Sequence, residues 1–277
     1  MQTLEDYKKA GQELYHKLHL SSYPIAIKYI KDVSEIPEGI VRPSANGQKW
    51  SLCQAFTYAR RWGWSVAMTS DDNFCTPSTA THRWEDISDE DMIQSQMFQK
   101  WHKDLEAEKK RLEHGLSIIG KENLGRLSEY KGSICSPLPE TVIVPDSVLV
   151  YGTGENITHI IQALTYDGEN FPASSFEGFG ESCFKGGLVP FITQTPQIII
   201  PGMGDRTFAG TFDSEIAIGL PAALLFIIVE HLFMAGGRLN MGQPLKTLLP
   251  MSITENVTPG FKFMREKIDE SKKKKTR

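Results

Sequence analysis

The sequence lacks the short motifs by which metal sites and common enzyme classes are usually identified. It has four cysteines, but no two of them form a CxxC pair, so the spacing of a zinc ribbon or of the common ferredoxin run is absent. It also lacks HExxH, GxSxG and the protein-kinase motifs. Metalloprotease, hydrolase and phosphotransfer chemistry therefore have no support from motifs.

The chain also lacks a surplus of positive charge. The formal net charge is -4 and the pI is near 6.0, which gives no general basic field to attract nucleic acid. Residues 1–7 lack the basic patch and apolar stretch of a secretory signal, so we expect a cytoplasmic protein. The one basic run, at 272–275, is expected to lie in a flexible, solvated tail over 265–277.

No apolar run has the pattern of a membrane span. The most apolar stretch, residues 216–235, is interrupted by Pro221 and carries Glu230 and His231 near one end. It predicts a helix that begins with Pro221 in its first turn and is buried in the core. The same helix also suits the seam of a homodimer, and the sequence leaves both interpretations open.

What the sequence does contain is the composition of an ordinary folded protein. It is 40% hydrophobic and 23% charged, and 277 residues are enough to bury a large core. Helical and strand periodicities follow one another, so we expect a mixed α and β (α/β) fold, one domain over 1–277, around a mixed sheet. The predicted helices cover 4–19, 52–62, most of 88–130, 157–166 and the stretch from Pro221; the predicted strands cover 24–30, 141–144, 147–151 and 197–200.

A short internal repeat indicates that the chain contains two similar halves. Residues 54–58 (QAFTY) resemble residues 162–166 (QALTY), and Cys75 and Cys183 each follow the first residue of their repeat by 21 positions. We expect halves at about 20–85 and 140–235, each with a strand, a helix and a cysteine-bearing loop, and a helical insertion at 86–135. A pseudo-twofold arrangement of the halves would bring Cys75 and Cys183 to one seam.

The four cysteines are the best candidates for a functional centre. A cytoplasmic chain of this size needs no disulfides, and one alternative is that these residues are small buried hydrophobes. Cys75, Cys135 and Cys183, however, stand in segments rich in glycine, proline and serine that predict loops, and Cys53 stands at the start of a helix. Loops are where ligands and catalytic groups tend to lie.

Several of these features occur together in a known family. They are Cys53 leading a helix, Cys75 in the loop after it, Cys183 after a glycine-rich segment, and residues 202–206 followed by Glu215 and Pro221. In these features the chain resembles the family called domain of unknown function 169, over about residues 23–232. The resemblance implies a cytoplasmic protein frequent in anaerobic bacteria and archaea, with no established activity. The family often has a cysteine near the Gly–Arg turn, where this chain has Met203, so the resemblance assigns no thiol chemistry to this turn.

The leading hypothesis is that the protein binds a thiolate-ligated metal. An iron–sulfur cluster takes its cysteine ligands in any sequence order, and zinc can use the same sulfurs. The role would be redox catalysis or electron transfer with a redox partner protein. The predicted ligands are Cys53, Cys75, Cys135 and Cys183.

The alternative hypothesis is a protein that binds or senses a small anionic ligand and has structural cysteines. Residues 152–156, between a strand and a helix, offer backbone amides to an anion, although the third glycine of the dinucleotide fingerprint and the lysine of a P-loop are missing. The planar fork of Arg206 suits a carboxylate or phosphate, or a salt bridge to Asp213 or Glu215. The predicted ligand-binding residues are Gly152, Gly154, Asn156, Gly202, Gly204 and Arg206.

Overall fold

Six β-strands form one sheet in the computed structural model, which describes residues 2–235 and 259–275. The strands pair in the order β2-β3-β1-β4-β6-β5, and every pairing between them is antiparallel. The mixed α and β class is therefore confirmed, while the sheet itself is antiparallel and not mixed. The strands are β1 (Ile25–Ile30), β2 (Val66–Thr69), β3 (Gly132–Pro137), β4 (Ser147–Gly152), β5 (Gln197–Ile199) and β6 (Ile216–Pro221).

Helices surround this sheet, and the chain divides into two units, Met1–Leu232 and Phe233–Arg277. The second unit contains α11 (Pro259–Lys275). A π-helical segment, Glu181–Leu188, directly precedes α8. The helices of the first unit are α1 (Leu4–Lys17), α2 (Leu52–Trp62), α3 (Thr76–Thr81), α4 (Asp89–Gln99), α5 (Leu105–Ile119), α6 (Leu124–Leu127), α7 (Gly154–Leu164), α8 (Val189–Thr193), α9 (Met203–Ala209) and α10 (Leu224–His231).

Both faces of the sheet are covered. Along β1, Ile25, Ile27 and Tyr29 join a core that also includes α2 and the π-helical segment. The alternate residues Ala26 and Ile30 are equally buried and face the layer formed by α1, α7 and α10, because side chains alternate along a strand. This burial explains why β1 is apolar almost throughout.

Local signals in the sequence fix the ends of α2, the helix that carries Cys53. Ser51 accepts a hydrogen bond from the Gln54 backbone amide (3.1 Å), and the Gln54 side chain accepts one from the Ser51 amide (2.8 Å). Gly63 ends the helix in the left-handed conformation, with φ at 73°. The predicted helix over 52–62 is thus confirmed, as is the predicted strand over 24–30, which the structure gives as β1.

Four predicted elements are wrong in place or type. The loop predicted around Cys183 is instead the π-helical segment Glu181–Leu188. Residues 141–144 form no strand. The segment around Cys135, predicted to be a loop, is β3 and is buried at every position. Residues 216–221 form β6, so Pro221 ends a strand instead of entering a helix, and the following helix begins at Leu224. In the last two cases pairing with a central strand overrides the local preference for a turn or helix.

The sheet has an internal symmetry that fits the predicted duplication in topology but not in residue register. Two sets of three strands, β1–β3–β2 and β4–β6–β5, have the same order outward from the β1–β4 pair. In this correspondence α2 matches α7, yet Gln54 lies in the first turn of α2 and Gln162 in the last turn of α7. Cys75 follows β2 whereas Cys183 precedes β5, so these cysteines are not equivalent positions. The duplication itself stays a prediction.

The apolar and basic stretches near the C-terminus extend to the limits of the described residues. In the described ranges 2–235 and 259–275, no helix is long and apolar enough to cross a membrane. The predicted basic tail at 265–277 is helical as far as Lys275, within α11, and residues 276–277 lie outside the described residues. The end of the predicted apolar stretch at 235 is the last described residue before 259.

The π-helical segment lies directly against the sheet because two glycines meet there. A β-carbon on Gly219 of β6 would overlap the carbonyl oxygen and backbone of Gly186, and one on Gly186 would lie 2.9 Å from a Leu149 methyl carbon. Only hydrogen atoms fit between these backbones. The position of the segment, and of Cys183 within it, therefore depends on both residues being glycine.

Replacing Gly219 with alanine tests this contact. The added methyl group must displace the π-helical segment, so we expect Gly219→Ala to lower the free energy of unfolding by about 1–3 kcal/mol in urea titrations. Gly154→Ala is the matched control, since nothing lies within 4 Å of its β-carbon position, and its effect should stay within about 0.5 kcal/mol. Equal stabilities of the two variants would contradict the described packing.

Candidate functional site

Three of the four cysteines line one cavity of about 440 Å³. Cys53 comes from the first turn of α2, Cys75 caps the N-terminus of α3, and Cys183 comes from the π-helical segment. Asp205, at the beginning of α9, lines the same wall. These four residues belong to four separate elements, and only the tertiary fold brings them together.

Cys53 lies at the centre of this group. The neighbouring Cys183 side chain, followed by burial and by the charge of Asp205, raises the pKa of the Cys53 thiol well above its ordinary value. A β-carbon on Gly204 would stand 4.0 Å from the Cys53 sulfur, so α9 approaches the thiol closely. Cys53 is therefore a protonated thiol at neutral pH.

Cys75 is the outer member of the group. Burial, assisted by the proximity of Cys183, raises the pKa of its thiol to about 11, while the Ser78 backbone amide opposes that shift. The Asn73 side chain fixes the backbone here, because its oxygen accepts from the Cys75 amide at 3.1 Å and its nitrogen donates to the Cys75 carbonyl at 3.2 Å. The loop predicted around Cys75 is thus a tightly held turn into α3.

The π-helical segment that carries Cys183 contains a buried ion pair. Lys185 Nζ lies 3.3 Å from Glu181 Oε1, and both side chains are almost inaccessible to solvent. The same carboxylate oxygen accepts hydrogen bonds of 2.8 Å from the backbone amides of Glu177 and Gly178. Glu181 therefore ties the glycine-rich loop to the segment and fixes the approach to Cys183.

Asp205 supplies the acidic group of the site and is not among the predicted site residues. Its Oδ2 accepts a hydrogen bond from the Gly202 amide at 3.2 Å. Burial raises the pKa of the Asp205 carboxyl, and the Ser182 hydroxyl and Cys53 thiol beside it oppose that shift. Its position three residues after the helix-capping Gly202 predicts a cap, but nothing local predicts its approach to Cys53.

His82 is a buried neighbour of the site and is not charged. Burial lowers the pKa of its imidazole to about 4, and the Ser78 and Cys183 backbones oppose that shift. Its Nδ1 lies 2.8 Å from the Ser78 carbonyl oxygen, which identifies Nδ1 as the protonated nitrogen of the neutral ring. The ring packs beside Trp84, at 5.2 Å between centroids. It contributes shape rather than charge.

Cys135 does not join the other three cysteines. It lies in β3 between Ile27 of β1 and Val66 of β2, is fully buried, and does not line the cavity. Burial raises the pKa of its thiol. The predicted convergence of four sulfurs is thus wrong for Cys135. Within residues 2–235 and 259–275, no group of three or more histidine, cysteine, aspartate or glutamate side chains stands in the arrangement of a metal site.

The six residues predicted to bind an anion are distributed over two places. Gly152, Gly154 and Asn156 lie where β4 passes into α7, and the Asn156 side chain donates to the Leu18 carbonyl at 2.8 Å. Gly202, Gly204 and Arg206 lie at α9, and of the six only Gly204 lines the cavity. The structure does not bring the two groups together into one pocket.

Arg206 makes the salt bridge that was the alternative to ligand binding. Its Nη1 lies 3.0 Å from Asp213 Oδ1, and its guanidinium also donates to the carbonyls of Pro201 and Phe212. The fork that would hold a carboxylate or phosphate is thus largely occupied by the protein itself.

Comparison with known proteins gives a family match and a relative for the chain. The family model of domain of unknown function 169, described as an uncharacterised ArCR, matches residues 13–231. An uncharacterized protein of Methanocaldococcus jannaschii, MJ0308, is 24% identical over 230 residues, which cover 82% of this chain and 94% of that protein. No solved structure matches. The resemblance seen in the sequence is confirmed, and it brings no reaction with it.

The raised pKa of Cys75 makes its alkylation rate depend on pH. Only the thiolate reacts, so with a pKa of about 11, compared with the ordinary 9.0, the rate with iodoacetamide should rise about tenfold per pH unit through pH 10. Peptide mass spectrometry of protein labelled between pH 7.5 and 10 measures it. Cys135 is the internal control and should react only after unfolding in urea. A Cys75 rate that levels off below pH 9 would contradict the described burial.

Proposed function

The chain belongs to the family called domain of unknown function 169, and we propose that it binds a thiolate-ligated metal centre, with an iron–sulfur cluster as the first candidate and zinc as the second. The ligands would be Cys53, Cys75 and Cys183. One observation carries the proposal: these thiols, far apart in sequence, converge with Asp205 on the wall of one cavity.

The chemistry of the donor set supports a soft or borderline metal. Thiolates favour zinc, copper(I) and iron–sulfur clusters over hard cations such as Mg²⁺ or Ca²⁺. Three cysteines leave one coordination position, which either Asp205 or a molecule in the cavity can take. Cys135 is no longer in the proposed set, since it lies in β3 away from the cavity.

The raised pKa of the Cys53 and Cys75 thiols agrees with the lack of a preformed metal arrangement among the described side chains. Protons and a metal compete for the same sulfur atoms, and a coordinating thiol loses its proton. In the structure the Cys53 and Cys183 side chains are neighbours. A metal would displace the thiol protons and bind the sulfurs. Metal affinity should therefore increase with pH.

The surroundings fit a redox role better than a purely structural one. The site adjoins the core on one side and a cavity on the other. Structural zinc sites are closed by four protein ligands, whereas reactive centres keep a position open. The proposed role is redox catalysis or electron transfer. The anionic-ligand alternative is less well supported, because Arg206 is engaged by Asp213.

Metal analysis of the cysteine variants tests the proposal. After anaerobic reconstitution with iron and sulfide and removal of unbound metal, we expect the natural sequence to retain iron and acid-labile sulfide with visible absorption. Cys53→Ser, Cys75→Ser and Cys183→Ser should each retain at least about tenfold less. Zinc loading is measured in parallel on the same proteins.

Cys135→Ser is the matched control, since it removes a buried thiol outside the cavity. It should retain the metal content of the natural sequence, and circular dichroism checks that all four variants are folded. The proposal fails if the reconstituted natural sequence is colourless and free of iron and zinc with four titratable thiols. It also fails if folded Cys135→Ser loses as much metal as the other three variants.

A further inference from the structure

The cavity beside the thiols is large enough for an organic molecule. Its volume of about 440 Å³ lies within the range of small-molecule binding sites. A metal bound to three sulfurs on one wall would leave most of that space unfilled. The rest of the cavity is therefore available to a second molecule.

The other walls of the cavity are mainly aromatic and aliphatic. Trp101 and Phe179 stack on one side, with ring centroids 4.6 Å apart and planes inclined by 8°. Leu112 and Leu116 of α5 and the buried Phe184 continue the apolar lining. Stacked, flat and apolar surfaces of this kind bind planar apolar molecules well.

Three apolar side chains of the lining are partly exposed, and a bound molecule would cover them. Phe74, before α3, and Phe208, in α9, make an edge-to-face contact at 5.3 Å, yet they are 40% and 48% exposed. Met203 beside them is 55% exposed. Exposed apolar side chains clustered at a cavity are typical of binding sites.

The cationic side chains of the walls are already paired with carboxylates. Arg111 pairs with Glu108 and Glu177, at 3.0 and 3.4 Å. Arg83 pairs with Asp89 at 2.8 Å, and Glu181 with Lys185. In the part of the chain that the structure describes, the cavity walls thus offer no unpaired cation, and an anionic molecule would lose its hydration without gaining a counterion.

We propose that this cavity binds a small, neutral, aromatic molecule, held against the stacked Trp101 and Phe179 rings and facing the thiols. The proposal does not require a metal, since it depends on the walls and not on the sulfurs. If the metal proposal also holds, the molecule would lie next to the open coordination position.

Two dyes of similar shape, one neutral and one anionic, test this proposal. The neutral N-phenyl-1-naphthylamine should bind the purified, reduced full-length chain with a micromolar dissociation constant and enhanced dye fluorescence. The anionic 8-anilino-1-naphthalenesulfonate should bind at least about tenfold more weakly, because its sulfonate has no counterion in the cavity.

Filling the cavity supplies the matched pair of variants. A β-carbon on Gly115 of α5 would lie 3.8 Å from the Phe184 ring, so Gly115→Phe is tolerated by the backbone and extends into the cavity. It should weaken the neutral dye at least about tenfold. Gly154→Phe adds the same ring where nothing lies within 4 Å and should leave binding unchanged.

Each contrary result overturns a defined part of the proposal. Neutral-dye binding that is undetectable, or equal in folded Gly115→Phe and the natural sequence, shows that the cavity is not the site. Equal or tighter binding of the anionic dye overturns the neutral class of ligand. Metal content is measured separately, so these outcomes leave the metal proposal unaffected.

Discussion

The contact between Gly186 and Gly219 is the constraint on which the candidate site depends. The sheet is buried on both faces, so the π-helical segment can approach β6 only where neither backbone carries a side chain. A π-helix is wider than an α-helix and is rare at this length, and such segments are frequent at functional sites. Here the segment presents Cys183 toward α2 while Glu181 anchors the glycine-rich loop at the cavity.

The second fixed point is the buried ion pair that holds α2 in place. Arg60 donates to both oxygens of Glu215, at 2.5 and 3.2 Å, and its guanidinium lies 4.1 Å from the centre of the Tyr151 ring. Loss of one partner of such a buried pair costs about 3–5 kcal/mol, because the other charge is left without compensation. Cys53 stands two turns earlier on the same helix, so its distance from Cys183 is set from both sides.

The sequence predicts the parts of the fold that depend on local chemistry. The capping pair Ser51 and Gln54 and the terminal Gly63 define α2 to the residue, and the apolar run of β1 is recognisable from its branched side chains. Cys135 is misassigned because the serines and prolines around it favour a turn. In the fold they pair with β1 and β2 at the centre of a sheet, and this pairing is a long-range effect.

The sequence predicts the convergence of Cys75 and Cys183 but not the way in which the topology produces it. The two sets of strands correspond in order, but the connections before their helices differ in length. The connection from β1 to α2 is long, while that from β4 to α7 is a single residue, Thr153. A comparison of the two half-sequences without gaps therefore aligns Gln54 with the wrong turn of α7. Cys75 and Cys183 meet without being equivalent, and Asp205 joins them through α9. A site assembled in this way can acquire its members independently, since each belongs to a different element. Its chemistry therefore follows from the folded cavity wall, where the protonated Cys53 thiol and the buried Asp205 carboxyl lie next to the apolar lining of the cavity.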